Sequence, residues 1–181
     1  MQKIVKAFKF ALERHAGQLR KDNSTPYIVH PFRVFLWLAD EGKIYDENVL
    51  AASFLHDLIE DTKTDYDDIM NKFRDKEIAD IVAVLTKDKT LSEKVREKMF
   101  NKKLKNAGWK AKVIKLADIY DNLCDMDSWQ APKSEKISRL VEKQEQLKSL
   151  KANLPERYER IFKIVEKQLR KTRVKSIRHR R

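Results

Sequence analysis

Breakers are scarce in this sequence: 3 glycines and 4 prolines among 181 residues. So little punctuation argues for long helices joined by short turns. Nowhere does a period-two apolar pattern occur between turn signals, which excludes a sheet-based fold. With Cys124 as the single cysteine, an intramolecular disulfide is impossible, which fits a reducing, cytoplasmic setting. Apolar runs stay well short of the ~20 residues that a membrane span needs, so no membrane partner is expected. The first residues, MQKIVKAFKFALERHAGQ, are amphipathic and interrupted by charge, and do not read as a signal peptide.

What is present is charge. Lys and Arg number 40 against 28 Asp and Glu, a formal net charge of +12. The cations run along the whole chain. They read either as solvated lysine-rich helix faces or as attraction for a polyanion such as a nucleotide. The length suits one domain with a real core.

The expected class is all-α. Val5, Phe8, Leu12 and His15 stand at helical spacing in the first helix. The polar stretch RKDNSTP follows as a loop. Pro31 can open a helix, which would make His30 its N-cap, with Phe32, Phe35, Leu36 and Ala39 on one face and Gly42 at the end. Asp46 or Asn48 can cap a helix carrying Val49, Ala52, Phe54, Leu55 and Ile59. Helices are expected at Tyr66 to Phe73, Asp75 to Leu85, Ser92 to Lys105 with Ser92 as cap, Lys112 to Asp125, Ser134 to Leu150 and Pro155 to Leu169. One domain is expected over 1–170. A basic, flexible tail is expected over 171–181, with no specific role for His179.

The chemistry concentrates in a few places. His56 and Asp57 are adjacent inside an apolar stretch, with Glu60 and Asp61 four residues after each, so that one run of helix turns all four groups toward one region. Burying that much charge is costly without a partner, and a divalent cation would convert the cost into coordination. The dipeptide alone reads more readily as a solvated acidic cluster beside a core histidine. His30 after a loop and Asp118 in an otherwise apolar helix change that balance, because a lone carboxylate there needs a reason. Imidazole plus carboxylate suits Mn, Fe, Ni, Co or Zn better than Ca.

HAGQLRKDNSTPYIVHPFRV, FLHDLIEDT, LTKDKTL and VIKLADIYDNL occur in this order from about His15 to Met126. Together they resemble the HD-domain hydrolases of the RelA/SpoT type, in particular the stand-alone small alarmone hydrolases. The resemblance implies an HD-domain helical bundle that removes pyrophosphate from the 3′ position of ppGpp or pppGpp, with a guanine nucleotide as its small-molecule partner. It implies a metal, usually manganese, held by His30, His56, Asp57 and Asp118. Glu60 and Asp61 would activate or position the attacking water. Arg20 and Lys21 would contact the base, and Asn122 the ribose side. Lys87, Lys89, Lys94 and Arg96 read either as ligands for 5′-phosphates or as a solvated face.

The sequence also departs from the family. Many members follow the LAD aspartate with Arg and place His before the Asn, whereas Ile119 and Asp121 stand here. An added carboxylate is expected to weaken attraction for a highly charged substrate. Another nucleotide substrate (the 2′-phosphate of NADPH or a nucleoside monophosphate) stays open, as does an inactive basic module that binds nucleotide or nucleic acid. Nucleic acid is the less expected partner, and a homo-oligomer is possible. His15 is expected to be structural, Trp109 to pack, Trp37 and Phe35 to be core or interface, and Cys124 to be buried.

Overall fold

The computed structural model describes residues 1–178, with side chains through Lys175, so that His179 lies outside the described residues. The helices are α1 (Gln2–Arg14), α2 (Val29–Asp40), α3 (Glu47–Leu55), α4 (Leu58–Asp61), α5 (Tyr66–Phe73) and α6 (Lys76–Leu85). They continue with α7 (Glu93–Asn106), α8 (Trp109–Cys124), α9 (Lys133–Lys151) and, after a 3₁₀ turn at Glu156–Tyr158, α10 (Glu159–Arg178). Among the described residues there is no strand, and one isolated bridge pairs Leu19 with Pro26. None of these helices is long and apolar enough to cross a membrane.

Aspartates cap α3, α5 and α6. The Asp46 carboxylate accepts from the backbone N–H groups of Asn48 and Val49, Asp75 caps α6 in the same way, and Asp65 forms a capping box with Asp68. Ser92 precedes α7, but its hydroxyl makes no capping bond.

The centre of the bundle is formed by α8 and α3. Every residue of α3 from Val49 to Leu55 is buried. Leu116, Ala117 and Ile119 of α8 are fully inaccessible, and α8 packs against α2, α3, α6, α9 and α10. The wholly buried Lys112 donates to the carbonyls of Lys105 and Ala152, so one ammonium satisfies the C-terminal ends of both α7 and α9.

Two helices turn a different face inward from the one their apolar spacing predicts. Helix α1 buries Ala7, Phe10 and Ala11, leaving Val5 47% and Leu12 45% exposed. Helix α2 buries Val34, Trp37 and Leu38, while Phe32 and Leu36 are exposed. Both helices carry apolar residues on two sides, and small alanines let α1 lie close on α3. His30 is the second residue of α2 rather than its cap, a place taken by Ile28. Cys124 is exposed, because the last turn of α8 rotates it off the core. Trp109 opens α8 and stacks on Tyr158 at 5.2 Å, a packing role. Helix α10 runs through Lys171 and Thr172 to Arg178, across most of the segment read as a tail, and Thr172 is buried.

Candidate active site

The helix that carries the HD pair does not continue through it. The ladder stops at Leu55, and Asp57 takes φ −100, ψ −5 before α4 begins, in the bridge region where active-site residues often sit. The Ser53 carbonyl takes His56 Nδ1 at 2.7 Å. With Nδ1 so engaged, His56 Nε2 faces inward, buried and with no hydrogen-bond partner among the described residues. Glu60 and Asp61 therefore stand on a separate short helix. The Asp61 N–H still reaches the Asp57 carbonyl at 2.8 Å, so the turn between the pairs is kept.

Three elements converge on His56 Nε2. His30 of α2, His56, and Asp118 of α8 each offer a ligand atom within 4.8 Å of the other two. Asp57 Oδ2 lies 3.2 Å from His56 Nε2 and 3.4 Å from His30 Nε2. His30 Nδ1 is held by Asp121 Oδ2 at 2.7 Å, which leaves its Nε2 for the same centre. The residues fit a divalent metal ion: two ring nitrogens and the Asp118 carboxylate come together, Asp57 lies beside both rings, and the buried His56 Nε2 makes no hydrogen bond.

Electrostatics agree with the geometry. Burial alone would lower the pKa of His30, but Asp118, Asp121 and Asp57 outweigh it and raise it to about 9. Against the same burial, Asp57 and Asp118 raise His56 to about 10. Burial works against ionisation of the two carboxyls, yet His56 and His30 beside Asp57, and Lys115 and the histidines beside Asp118, hold both well below the usual carboxylate range. Burial pushes the Glu60 carboxyl up, opposed by the Lys87 N–H and Lys115.

A cleft of about 260 Å³ opens over this centre. Asp57, Glu60, Asp61, Asp118, Asn122, Arg20, Lys21 and Lys87 all line it. Glu60 Oε2 accepts the Lys87 N–H at 3.0 Å, and Lys89 Nζ lies 2.9 Å from Asp61 Oδ1. Arg20 Nη2 is fixed by Asp125 at 3.0 Å and Asn122 at 3.1 Å, in front of Tyr27. Lys21 Nζ lies 3.8 Å from the centre of the Trp129 ring. The loop that presents both cations is closed by Asp22, which accepts the N–H groups of Ser24 and Thr25, and Asn23 adopts φ 57, the conformation that glycine would otherwise supply. Lys94 is exposed away from the cleft, and Arg96 lines a second groove beside Met99 and Phe100.

Several cleft residues were not singled out in the sequence reading. Tyr27, three residues before His30, donates to Asp57 Oδ2 at 2.7 Å and to Asp61 Oδ2 at 3.0 Å. Its spacing from His30 was visible in the motif. Lys115, three residues before Asp118, pairs with it at 2.7 Å. Arg139, Glu142 and Lys143 share a face of α9, but nothing local announces that α9 folds back over α8. His15 is buried, bonded to Gln18 and stacked on Tyr27 at 4.5 Å, a structural role. The Asp121 carboxylate is taken up by His30 and by Arg33 at 2.7 Å, so it adds little repulsion toward an anion. Ile119 is in the core, turned away from the cleft.

Comparison with known proteins finds a family model and several relatives. A family model described as HD domain covers residues 7–141. The guanosine-3′,5′-bis(diphosphate) 3′-pyrophosphohydrolase MESH1 of Xenopus tropicalis is 42% identical over 124 residues, 68% of this chain and 69% of that protein. The human MESH1 is 38% identical over 125 residues, 68% of this chain and 69% of that protein. A solved structure, described as a metazoan ortholog of SpoT that hydrolyzes ppGpp, superposes with a TM-score of 0.81 at 28% identity, covering 93% of this chain and 96% of that one. The matched region holds all four metal-ligand candidates, and the chain belongs to the HD-domain family.

Proposed function

We propose that the chain is a metal-dependent hydrolase that removes the 3′-pyrophosphate of ppGpp or pppGpp, leaving GDP or GTP. The observation that carries this reading is the cluster of His30, His56 and Asp118, with Asp57 beside it, under a cleft lined by cations and carboxylates. The relatives named for the same reaction support it. Held by those four residues, a divalent cation, manganese in this reading, supplies Lewis-acid chemistry: it acidifies water and offsets charge on phosphoryl oxygens.

The chain's own residues do the rest. Glu60, with a carboxyl raised by burial, takes a proton from the attacking water, and the Lys87 N–H holds its other lone pairs in place. Asp61 is anchored by Tyr27 and Lys89 and orients that water. Lys115 neutralises Asp118, so the floor of the cleft carries less negative charge against the incoming phosphates. Trp129 and Lys21 form a flat, cationic platform for a purine, while Asn122, its amide held between Arg20 and Asp118, lines the cleft where the ribose is read.

Product analysis tests the reading. Metal-free protein is incubated with ppGpp with and without added Mn²⁺, and NADPH and nucleoside monophosphates are run alongside. Mn²⁺-dependent release of GDP and pyrophosphate is expected. Intact ppGpp under conditions where another nucleotide is hydrolysed would overturn the substrate assignment.

A further inference from the structure

The cations of the cleft wall are nearly all engaged. Arg20 is bound to Asp125 at 3.0 Å, Lys115 to Asp118 at 2.7 Å, and Arg139 to Glu142 at 2.8 Å. Lys87 bridges Glu97 and Glu142, each at 2.7 Å. Lys21 lies over Trp129.

Lys143 is different. It lines the same cleft, half-buried, and its ammonium makes no hydrogen bond or ion pair with any described residue. The charged groups around it are Lys115 and Asp118 of α8, Lys87 of the connection after α6, and Glu142 on its own helix. Two of these are cations. Both acids are already shared, Asp118 with Lys115 and His30, and Glu142 with Lys87 and Arg139. A partly desolvated ammonium set against two others is unfavourable by itself, and an anion entering the cleft reverses the sign.

We propose that Lys143 binds the 3′-diphosphate of the substrate and holds the phosphates that depart as pyrophosphate. The placement follows from the cleft: Lys143 lines it together with Asp118 and Lys115, whose fields reach it at the metal-ligand cluster, whereas Lys21 and Trp129 form the platform for the base. This rests on the reading of the cleft as a 3′-pyrophosphohydrolase site.

The test compares the wild type with Lys143→Met and Lys143→Arg, using Lys148→Met as a surface control, since Lys148 is exposed and pairs with Glu145. Two quantities are measured on Mn²⁺-loaded protein: the KM for ppGpp and the dissociation constant for inorganic pyrophosphate by calorimetry. Melting of the metal-free proteins is followed by circular dichroism. Lys143→Met is expected to raise both constants about tenfold, the scale of one charge-assisted hydrogen bond. Lys143→Arg should recover most of that loss. The metal-free Met variant should melt above the wild type, because the repulsion from Lys115 and Lys87 is gone.

A Met variant that turns over ppGpp with wild-type KM and binds pyrophosphate as tightly as the wild type overturns the inference and leaves the reading of the cleft intact. A variant that melts lower with unchanged pyrophosphate affinity has lost only packing, and also overturns it. Lys143-dependent pyrophosphate binding by a wild type that leaves ppGpp intact supports the anion site and sinks the hydrolase reading instead.

Discussion

His30 Nδ1 lies 2.7 Å from Asp121 Oδ2, while Arg33 Nε lies 2.7 Å from the other oxygen of the same carboxylate. One acid, one turn after Asp118 on α8, thus fixes the ring of a metal-ligand candidate on α2. The contact sets which nitrogen of His30 carries the proton and aims Nε2 at the cluster. Asp121→Asn keeps the size but removes the charge that Arg33 and His30 share. We expect metal affinity to fall about 10–100-fold with helical content unchanged, as outer partners of ligating histidines usually show. A metal titration followed by calorimetry measures it, and unaltered affinity would remove Asp121 from the site.

Glu60→Gln separates proton transfer from metal binding. The glutamine carbonyl can still accept the Lys87 N–H, so the connection after α6 stays in place. What is lost is the group that takes up a proton. Turnover is expected to fall about 10²–10⁴-fold, the ordinary contribution of a general base. Metal affinity should not change. If turnover survives, Asp61 rather than Glu60 serves as the base.

Metal binding should depend steeply on pH. In the metal-free protein the neighbouring carboxylates raise His30 to about 9 and His56 to about 10, so both rings are protonated at neutral pH. Coordination requires them neutral, so binding releases protons and apparent affinity rises with pH. Stability follows the opposite course. A raised folded-state pKa contributes stability that is fully present below the ordinary value of 6.5 and is lost as pH climbs through about 9 and 10. Metal-free protein should therefore melt progressively lower across that window, while the gain in melting temperature on adding metal widens. Paired thermal melts with and without Mn²⁺ at stepped pH check both slopes. A metal-induced gain that stays flat with pH would mean that the rings are already neutral without metal.

Much of the helical order was legible because its signals are local. The cap candidate Asp46 and the apolar density around Leu116 mark their helices without reference to the rest of the chain. The inward faces of α1 and α2 were not legible, because Val5 and Leu12, or Phe32 and Leu36, compete with Ala7, Ala11, Val34 and Leu38 on amphipathic grounds. Only the packing partner decides between such stripes. The break at His56 and Asp57 was hidden for a related reason: FLHDLIE is good helix sequence, and a ring bond to the Ser53 carbonyl interrupts the ladder. Within the site, residues close in sequence to a motif could be read, whereas Trp129, Arg139 and Lys143 reach the cleft through tertiary folding alone.

Ile119 tests whether a departure from the family pattern touches substrate or core. It directly follows Asp118, so a role in binding would be the natural assumption. Yet its side chain is completely inaccessible, on the face of α8 turned into the bundle. Ile119→Ala should then cost about 2–5 kcal/mol of unfolding free energy, the range for emptying a buried aliphatic site. Below the melting transition, kcat/KM for ppGpp should match the wild type, because no cleft atom is removed. Urea unfolding and steady-state kinetics on the same preparation separate the two effects. A stable variant with impaired kcat/KM would place Ile119 at the substrate and show that α8 turns differently in solution.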